Sequence, residues 1–473
     1  GLKTWSMIGG PLCCPDWARG MMRLDDLAPS LEAEINGVVH AIQSVPRRRV
    51  GRLVRAVGLL LEVRGLGAPL GALCELEGND GLVEAEVVGF NETTTFVMPY
   101  SSSTGIAPGA RVRTTGAGSR VRLSNNMLGR IVDGRGIPLD GKGSINAGNE
   151  QAIDGSRINP LERAPVSKVL DVGIKAINGA LTIGQGQRIG LMAGSGVGKS
   201  VLLGMIARYA KADVVVIGLI GERGREVNDF IRETLGESGL AKSVVVAAPA
   251  DVSPMLRIRA TRLAHLVAEF FRDQGRNVLL LIDSLTRVAH AQREIGLAVG
   301  EPPTAKGYPP SVLALLPNLI ERSGMGRSDG GSITAIYTVL MDNDDRDDPV
   351  VDIARASLDG QIMMSRTLAD AAHYPAIDLS GSISRLMPSL VDDFTLGAAN
   401  RFRRLWSLYQ QNQDLIKVGA LQRGANPELD EAVARRADME RFLCQRPDEA
   451  VDFESTLTLL NTFAAAPGQE ASN

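Results

Sequence analysis

Eight residues, Ala193-Gly-Ser-Gly-Val-Gly-Lys-Ser200, have the types and spacing to hold a chain of phosphates. They follow the apolar run 188–192 and precede Val201-Leu-Leu, so they read as strand, glycine-rich turn and helix, the context in which a phosphate loop works. Gly194, Gly196 and Gly198 let backbone N–H groups close around phosphate oxygens, and Lys199 brings a positive charge to the terminal phosphates. The Ser200 hydroxyl suits Mg²⁺. The expected nucleotide-binding run is therefore Gly194, Ser195, Gly196, Val197, Gly198, Lys199, Ser200 and Val201. Its first position is Ala193 rather than glycine, a departure of little weight if that residue is still in strand geometry.

Asp283 ends the apolar run 278–282, which places a carboxylate at the C-terminal edge of a sheet, where open α/β sheets bind ligands. Its expected role is to hold Mg²⁺ through a water. The next residue is Ser284 rather than a second carboxylate, so a general base must come from elsewhere. Glu222, just past the apolar run 214–220, is the candidate to orient an attacking water, with Arg223 counted in the same catalytic set. Glu226 is the runner-up, and at helical spacing it can instead pair with Arg223 or support Glu222.

Phosphoryl transfer also needs positive charge on the transition state, often an arginine from a neighbouring subunit. Arg385, in Gly381-Ser-Ile-Ser-Arg385, is the first choice and Arg366, in Met364-Ser-Arg366, the alternative. Tyr374, before Pro375, offers a π face to adenine or packs in a core. The four histidines and four cysteines fall at no spacing that makes a zinc site or a disulfide framework,.

Positioning such residues takes an α/β sheet. Strongly apolar, β-branched runs at 188–192, 213–220, 243–247, 277–282 and 332–340 alternate with helical stretches, the pattern of a mainly parallel sheet covered on both faces. Before it, short β-prone runs at 52–63, 82–89 and 94–98 fit a small antiparallel barrel of about six strands. After Asp392 the texture is helical, with a turn near 418–430. The expected domains are thus a barrel at 46–118, a P-loop core at 119–390 and a helical domain at 391–473. An amphipathic helix at 23–45, carrying Leu27, Leu31, Ile35, Val38, Val39 and Ile42 on one face, precedes them,. It covers the chain's own next domain or docks a partner. Residues 1–22 read as a non-native or disordered leader, with natural translation starting at the pair Met21-Met22, and fit a signal peptide poorly.

With 473 residues, 44% hydrophobic and 22% charged, the chain is too long for one core and too apolar to be disordered,. No stretch reaches the length of an uninterrupted membrane span. A formal charge of −3 offers nucleic acid no global attraction,, and the barrel region lacks the interleaved aromatic and basic residues that stack bases. An RNA translocase is disfavoured on both counts.

Taken together, 193–200, Gly221-Glu-Arg-Gly-Arg-Glu-Val227, Ala248-Pro-Ala-Asp-Val-Ser-Pro254, Asp283-Ser-Leu-Thr-Arg287, Gly300-Glu-Pro-Pro303, Gly307-Tyr-Pro-Pro310 and His373-Tyr-Pro-Ala-Ile-Asp378 resemble the type III secretion ATPases over nearly the whole chain after Met22. The flagellar export branch is the most similar, and catalytic subunits of rotary ATP synthases are more distant. The resemblance implies a RecA-like core between barrel and helices, with ATP and Mg²⁺ as ligands. It also implies that Lys199 binds phosphate, Glu222 activates water, Arg385 reaches a neighbour's site and Tyr374 packs on adenine. Implied partners are five further copies in a homohexamer, a stator-like regulator at the N-terminal helix, a central coiled-coil stalk, chaperones carrying export substrates, and a membrane export gate beside a cytoplasmic ring. One chain that carries both the glutamate and a finger is self-sufficient, which favours a homo-oligomer over a non-catalytic ring subunit. An injectisome ATPase shares every motif quoted.

Overall fold

A computed structural model describes residues 49–464 except 80, 116–119, 146–147, 329, 342–347, 420, 422–423 and 425. The expected leader and N-terminal helix lie outside the described residues.

The first domain is a closed six-stranded antiparallel barrel in the order β1 (Val50–Val57), β2 (Leu60–Arg64), β5 (Thr94–Pro99), β4 (Gly81–Phe90), β3 (Leu73–Gly78) and β6 (Arg111–Thr114). Alternation fills its interior: Leu53, Leu61, Val63, Cys74, Leu76, Ala85, Val87, Val97 and Val112 point inward,. The β-prone run at 52–63 is two strands, joined by a turn at Gly58 and Leu59 with Gly58 at φ 57°. Leu59 and Leu60 disguise that turn as continuous apolar sequence.

Three strands follow: β7 (Arg120–Leu123), β8 (Arg130–Val132) and β9 (Asn149–Ala152). β7 and β9 pair antiparallel on their own, while β8 edges the large sheet. That sheet adds β10 (Arg188–Ala193), β11 (Val214–Ile220), β12 (Ser243–Ala248), β13 (Asn277–Asp283), β14 (Gly324–Met325), β15 (Ser332–Leu340), β16 (Gly360–Met364) and β17 (Ile377–Ser384). Its order is β17-β16-β10-β15-β13-β11-β12-β8, with β14 beside β15. All pairs are parallel except β14 with β15 and β16 with β17.

Every residue of β11 is buried, and alternate side chains serve two different cores. Val214, Val216 and Ile220 face helices Pro254–Arg272, Leu285–Ala298 and Pro310–Ile320, while Val215, Ile217 and Leu219 face helix Lys199–Tyr209 and the C-terminal helices. This double burial explains why the strand sequences are continuously apolar. The C-terminal domain is built on helix Asp393–Gln411, capped by Asp392 and anchored by buried Phe402, Leu405, Trp406 and Tyr409. Among the described residues no helix is long and apolar enough to cross a membrane.

Candidate active site

Ala193 is the last residue of β10 and is buried, its carbonyl accepting from Met341 N at 3.0 Å, so the departure from glycine falls in strand geometry. The chain then leaves the sheet through Gly196 at φ 79° and Gly198 at φ 90°, a region closed to most side chains,. Helix Lys199–Tyr209 starts immediately afterwards, and its free N–H groups face the turn,. Ser195, Ser200 and Val201 are exposed at this mouth, while Gly194 and Val197 are buried beneath it.

Three charged side chains meet under the loop. The Lys199 ammonium donates to Asp283 Oδ1 and lies 3.6 Å from Glu222 Oε1. Parallel pairing produces this convergence: β10 and β13 flank β15, β11 follows β13, and all four strands run the same way, so their C-terminal ends share one edge. Glu222 is fixed by its backbone. Gly221 N donates to Ala248 O at 2.7 Å and Glu222 O accepts from Ala250 N at 2.9 Å, which clamps the turn between β11 and β12. A Cβ on Gly221 would come within 2.8 Å of Arg287 Cβ, so glycine there lets Arg287 approach the cluster.

Burial pushes the Glu222 carboxyl above the usual carboxylate range,. Lys199 and Arg287 pull it back, and Asp283 and a hydrogen bond that the protonated carboxyl donates to Glu226 push the same way as burial. Its Oε1 is buried and, among the described residues, receives no hydrogen bond, an expensive state for a carboxylate oxygen. A raised carboxylate with an unfilled acceptor beside a phosphate loop is the equipment of a general base. The exposed Ser200 hydroxyl and the Asp283 carboxylate are hard oxygen donors of the kind that could hold Mg²⁺,.

The remaining expected residues separate clearly. Arg366 donates through Nη2 to Ser195 O at 3.1 Å, so it sits on the phosphate loop of its own chain. Arg385 does not. Because β17 runs antiparallel to β16, with Ser384 opposite Gly360 and Ile377 opposite Met364, Arg385 emerges at the sheet edge remote from the loop. The length of β16 alone separates the two edges by about 13 Å. There Arg385 donates to Leu358 O at 3.1 Å and Arg355 O at 3.3 Å. Arg223 also stands outside the cluster: its side chain is 84% exposed and paired with Glu226 at 3.6 Å. It is in extended backbone next to Glu222, where successive side chains leave on opposite sides,.

Tyr374 is half-exposed beside the loop, its ring 3.5 Å from where a Cβ on Gly198 would stand. Its carbonyl accepts from Gln445 N at 3.0 Å. The Gln445 side chain accepts from Lys175 N at 2.8 Å and donates to Gly173 O at 2.7 Å and Glu449 O at 2.9 Å, tying the helical domain to the core. His373 is buried against Trp406 with ring centroids 5.6 Å apart, and its Nδ1 lies 3.5 Å from Cys444 Sγ. Two site residues escape the sequence reading. Arg287 lies one helical turn beyond Asp283, a spacing that carries a signal, whereas Thr338, which donates to Asp283 Oδ1 at 2.7 Å, looks like any strand threonine.

Family models agree with this layout: the ATP synthase alpha/beta family β-barrel domain matches residues 53–116, its nucleotide-binding domain residues 173–384, and the type III secretion ATPase C-terminal domain residues 391–462. The flagellum-specific ATP synthase of Pseudomonas aeruginosa is 54% identical over 94% of this chain and 99% of its own length. The chain belongs to the type III secretion ATPase family. As an ATPase of this family it is also similar to the type 3 secretion system ATPase of Xanthomonas euvesicatoria, 45% identical over 88% of this chain and 94% of the other. The assembled ATPase EscN of enteropathogenic E. coli, solved in complex with its central stalk EscO, superposes with a TM-score of 0.81 at 39% identity, covering 88% of this chain and 100% of EscN.

Proposed function

We propose that this ATPase hydrolyses Mg²⁺–ATP as a head-to-tail homohexamer and that hydrolysis drives flagellar type III protein export by releasing and unfolding chaperone-bound substrates. The observation that carries the reading is the split of the catalytic set. Lys199, Glu222 and Asp283 converge at one sheet edge, and Arg385 is held at the other. A head-to-tail ring brings the second edge of one subunit to the first edge of the next.

In this mechanism the amides of 194–201 and Lys199 hold the phosphates, while Tyr374 packs on adenine. Glu222 orients the attacking water and takes its proton on the unfilled Oε1, and Glu226, steadied by Arg223, supports it. Ser200 and Asp283 would hold Mg²⁺, which would supply charge neutralisation on the phosphates. Arg385 of the neighbouring subunit stabilises the charge that develops in transfer.

Identity of 54% to a flagellum-specific relative, against 45% to a type 3 secretion system ATPase, supports the flagellar branch. The EscN–EscO assembly supports a ring around a central stalk protein. By the same kinship a stator-like regulator binds the N-terminal segment 23–45, export chaperones deliver cargo, and the ring works in the cytoplasm against the membrane export gate, without nucleic acid. The test measures ATPase rate against protein concentration for wild type and Glu222→Gln, with sizing in ATP and Mg²⁺. The expected result is a rate per subunit that climbs as a ring-sized species forms and collapses in the variant. Flat, negligible hydrolysis with intact ATP binding would defeat it. Deletion of the gene should abolish filament assembly, and loss of effector secretion with normal filaments would assign the injectisome branch instead.

A further inference from the structure

Thr338 stands near the C-terminal end of β15, which lies between the phosphate-loop strand β10 and the Asp283 strand β13. Its neighbour in β10 is Leu191, and Tyr337 pairs with Ile282, so Thr338 is level with Asp283. The side chain is fully buried, between Tyr337 and Val339 along β15. A hydroxyl in such a place costs stability unless it is bonded, and valine has the same shape without that cost. The hydroxyl has one proton. It goes to Asp283 Oδ1 at 2.7 Å, since the alternative, Ile282 O, is 3.3 Å away.

Asp283 Oδ1 thus takes two donors, the Thr338 hydroxyl and the Lys199 ammonium, and among the described residues none donates to Oδ2. Lys199 has a second appointment with the nucleotide phosphates, so the bond that stays with the carboxylate throughout is the one from β15. We propose that Thr338 is the positioning residue for Asp283: it fixes the carboxylate plane so that Oδ2 is presented toward the divalent cation at the phosphates. Removing the hydroxyl frees the carboxylate to rotate and leaves a buried acceptor short of a donor whenever Lys199 is engaged elsewhere. The idea rests on the proposed cation role of Asp283.

The experiment compares wild type with Thr338→Val, Thr338→Ala, Thr338→Ser and Asp283→Asn as full chains, reading steady-state hydrolysis at saturating ATP against free Mg²⁺ concentration. Thr338→Val and Thr338→Ala should each raise the Mg²⁺ concentration for half-activation by about tenfold, within the range expected for one lost bond to a charged group. Thr338→Ser should restore the wild-type value. A packing role would instead lower the melting temperature or kcat and leave half-activation unmoved. If the valine variant does not fold, the alanine variant carries the same comparison. An unchanged Mg²⁺ dependence in a folded hydroxyl-free variant, with Asp283→Asn crippled, overturns the proposal and leaves the reading of Asp283 standing. Wild-type Mg²⁺ dependence in Asp283→Asn overturns that underlying reading.

Discussion

Arg385 and Lys199 are predicted to act in the same reaction from different chains, and a mixing experiment makes this measurable. Arg385 lies at the sheet edge opposite its own phosphate loop, held by the carbonyls of Leu358 and Arg355. Arg366 touches Ser195 of its own loop. An arginine finger contributes on the order of 10³ or more to turnover, so Arg385→Ala should retain less than about a thousandth of wild-type kcat while still binding ATP. Lys199→Ala should lose phosphate binding and turnover together.

In an equimolar mixture assembled from both, a site works when its loop comes from the Arg385→Ala chain and its finger from a Lys199→Ala neighbour. Random placement around a head-to-tail ring meets both conditions at about a quarter of the interfaces. The mixture should therefore recover about a quarter of the wild-type rate per site, hundreds of times more than its parents. Arg366→Ala mixed with Lys199→Ala should recover nothing, because both lesions fall in one site. The assay is coupled-enzyme ATPase, with native mass spectrometry to verify mixed rings. Recovery by the Arg366 mixture, or none by the Arg385 mixture once mixed rings are seen, refutes the assignment by sheet edge.

Glu222→Gln should cut kcat by about a hundredfold or more while binding ATP, and near-normal turnover would remove the base assignment. Because burial raises this carboxyl, the native state holds its proton more tightly than the unfolded chain, so the group costs stability as pH rises above about 4,. The variant should accordingly melt higher than wild type at pH 7, with the gap closing on acidification. Tyr374→Ala should raise KM for ATP several-fold with kcat nearly kept, and Tyr374→Phe should match wild type in the same titration. Asp140 takes bonds from Arg130 at 2.7 and 3.0 Å, with side chains 3% and 12% exposed, and Arg130 holds its carboxyl well below the usual range. Asp140→Asn should cost about 3 kcal/mol in urea unfolding at pH 7. That contribution is present above about pH 4 and fades as pH falls further.

The parts of the fold that were legible are those where one physical demand dominates the residue choice. Parallel strands buried on both faces leave little room for polar residues, so β10, β11, β12, β13 and β15 announce themselves as apolar runs,. The phosphate loop is equally plain, since its turn needs glycine at 196 and 198 and its chemistry needs lysine at 199. β3 and β6 were not legible: Leu-Cys-Glu-Leu-Glu-Gly and Arg-Val-Arg-Thr are short and charged, and their pairing shows only across the strands, where Glu75 meets Arg113. The reversed direction of β17, which sets Arg385 at the sheet edge away from the phosphate loop while Arg366 lies on the loop, is not encoded in local sequence. Thr338 was invisible for a similar reason, because its meaning lies in the register that sets it beside Asp283.

Gln445 joins the helical domain to the start of the core and, through its amide, to the carbonyl of Tyr374. These bonds are shared by the helices and the core, so displacing the helices strains the Tyr374 peptide before it strains Lys199, Glu222 or Asp283. Mechanical load on the C-terminal end should therefore register first as a changed dwell time of nucleotide, and only later as a changed rate of bond cleavage.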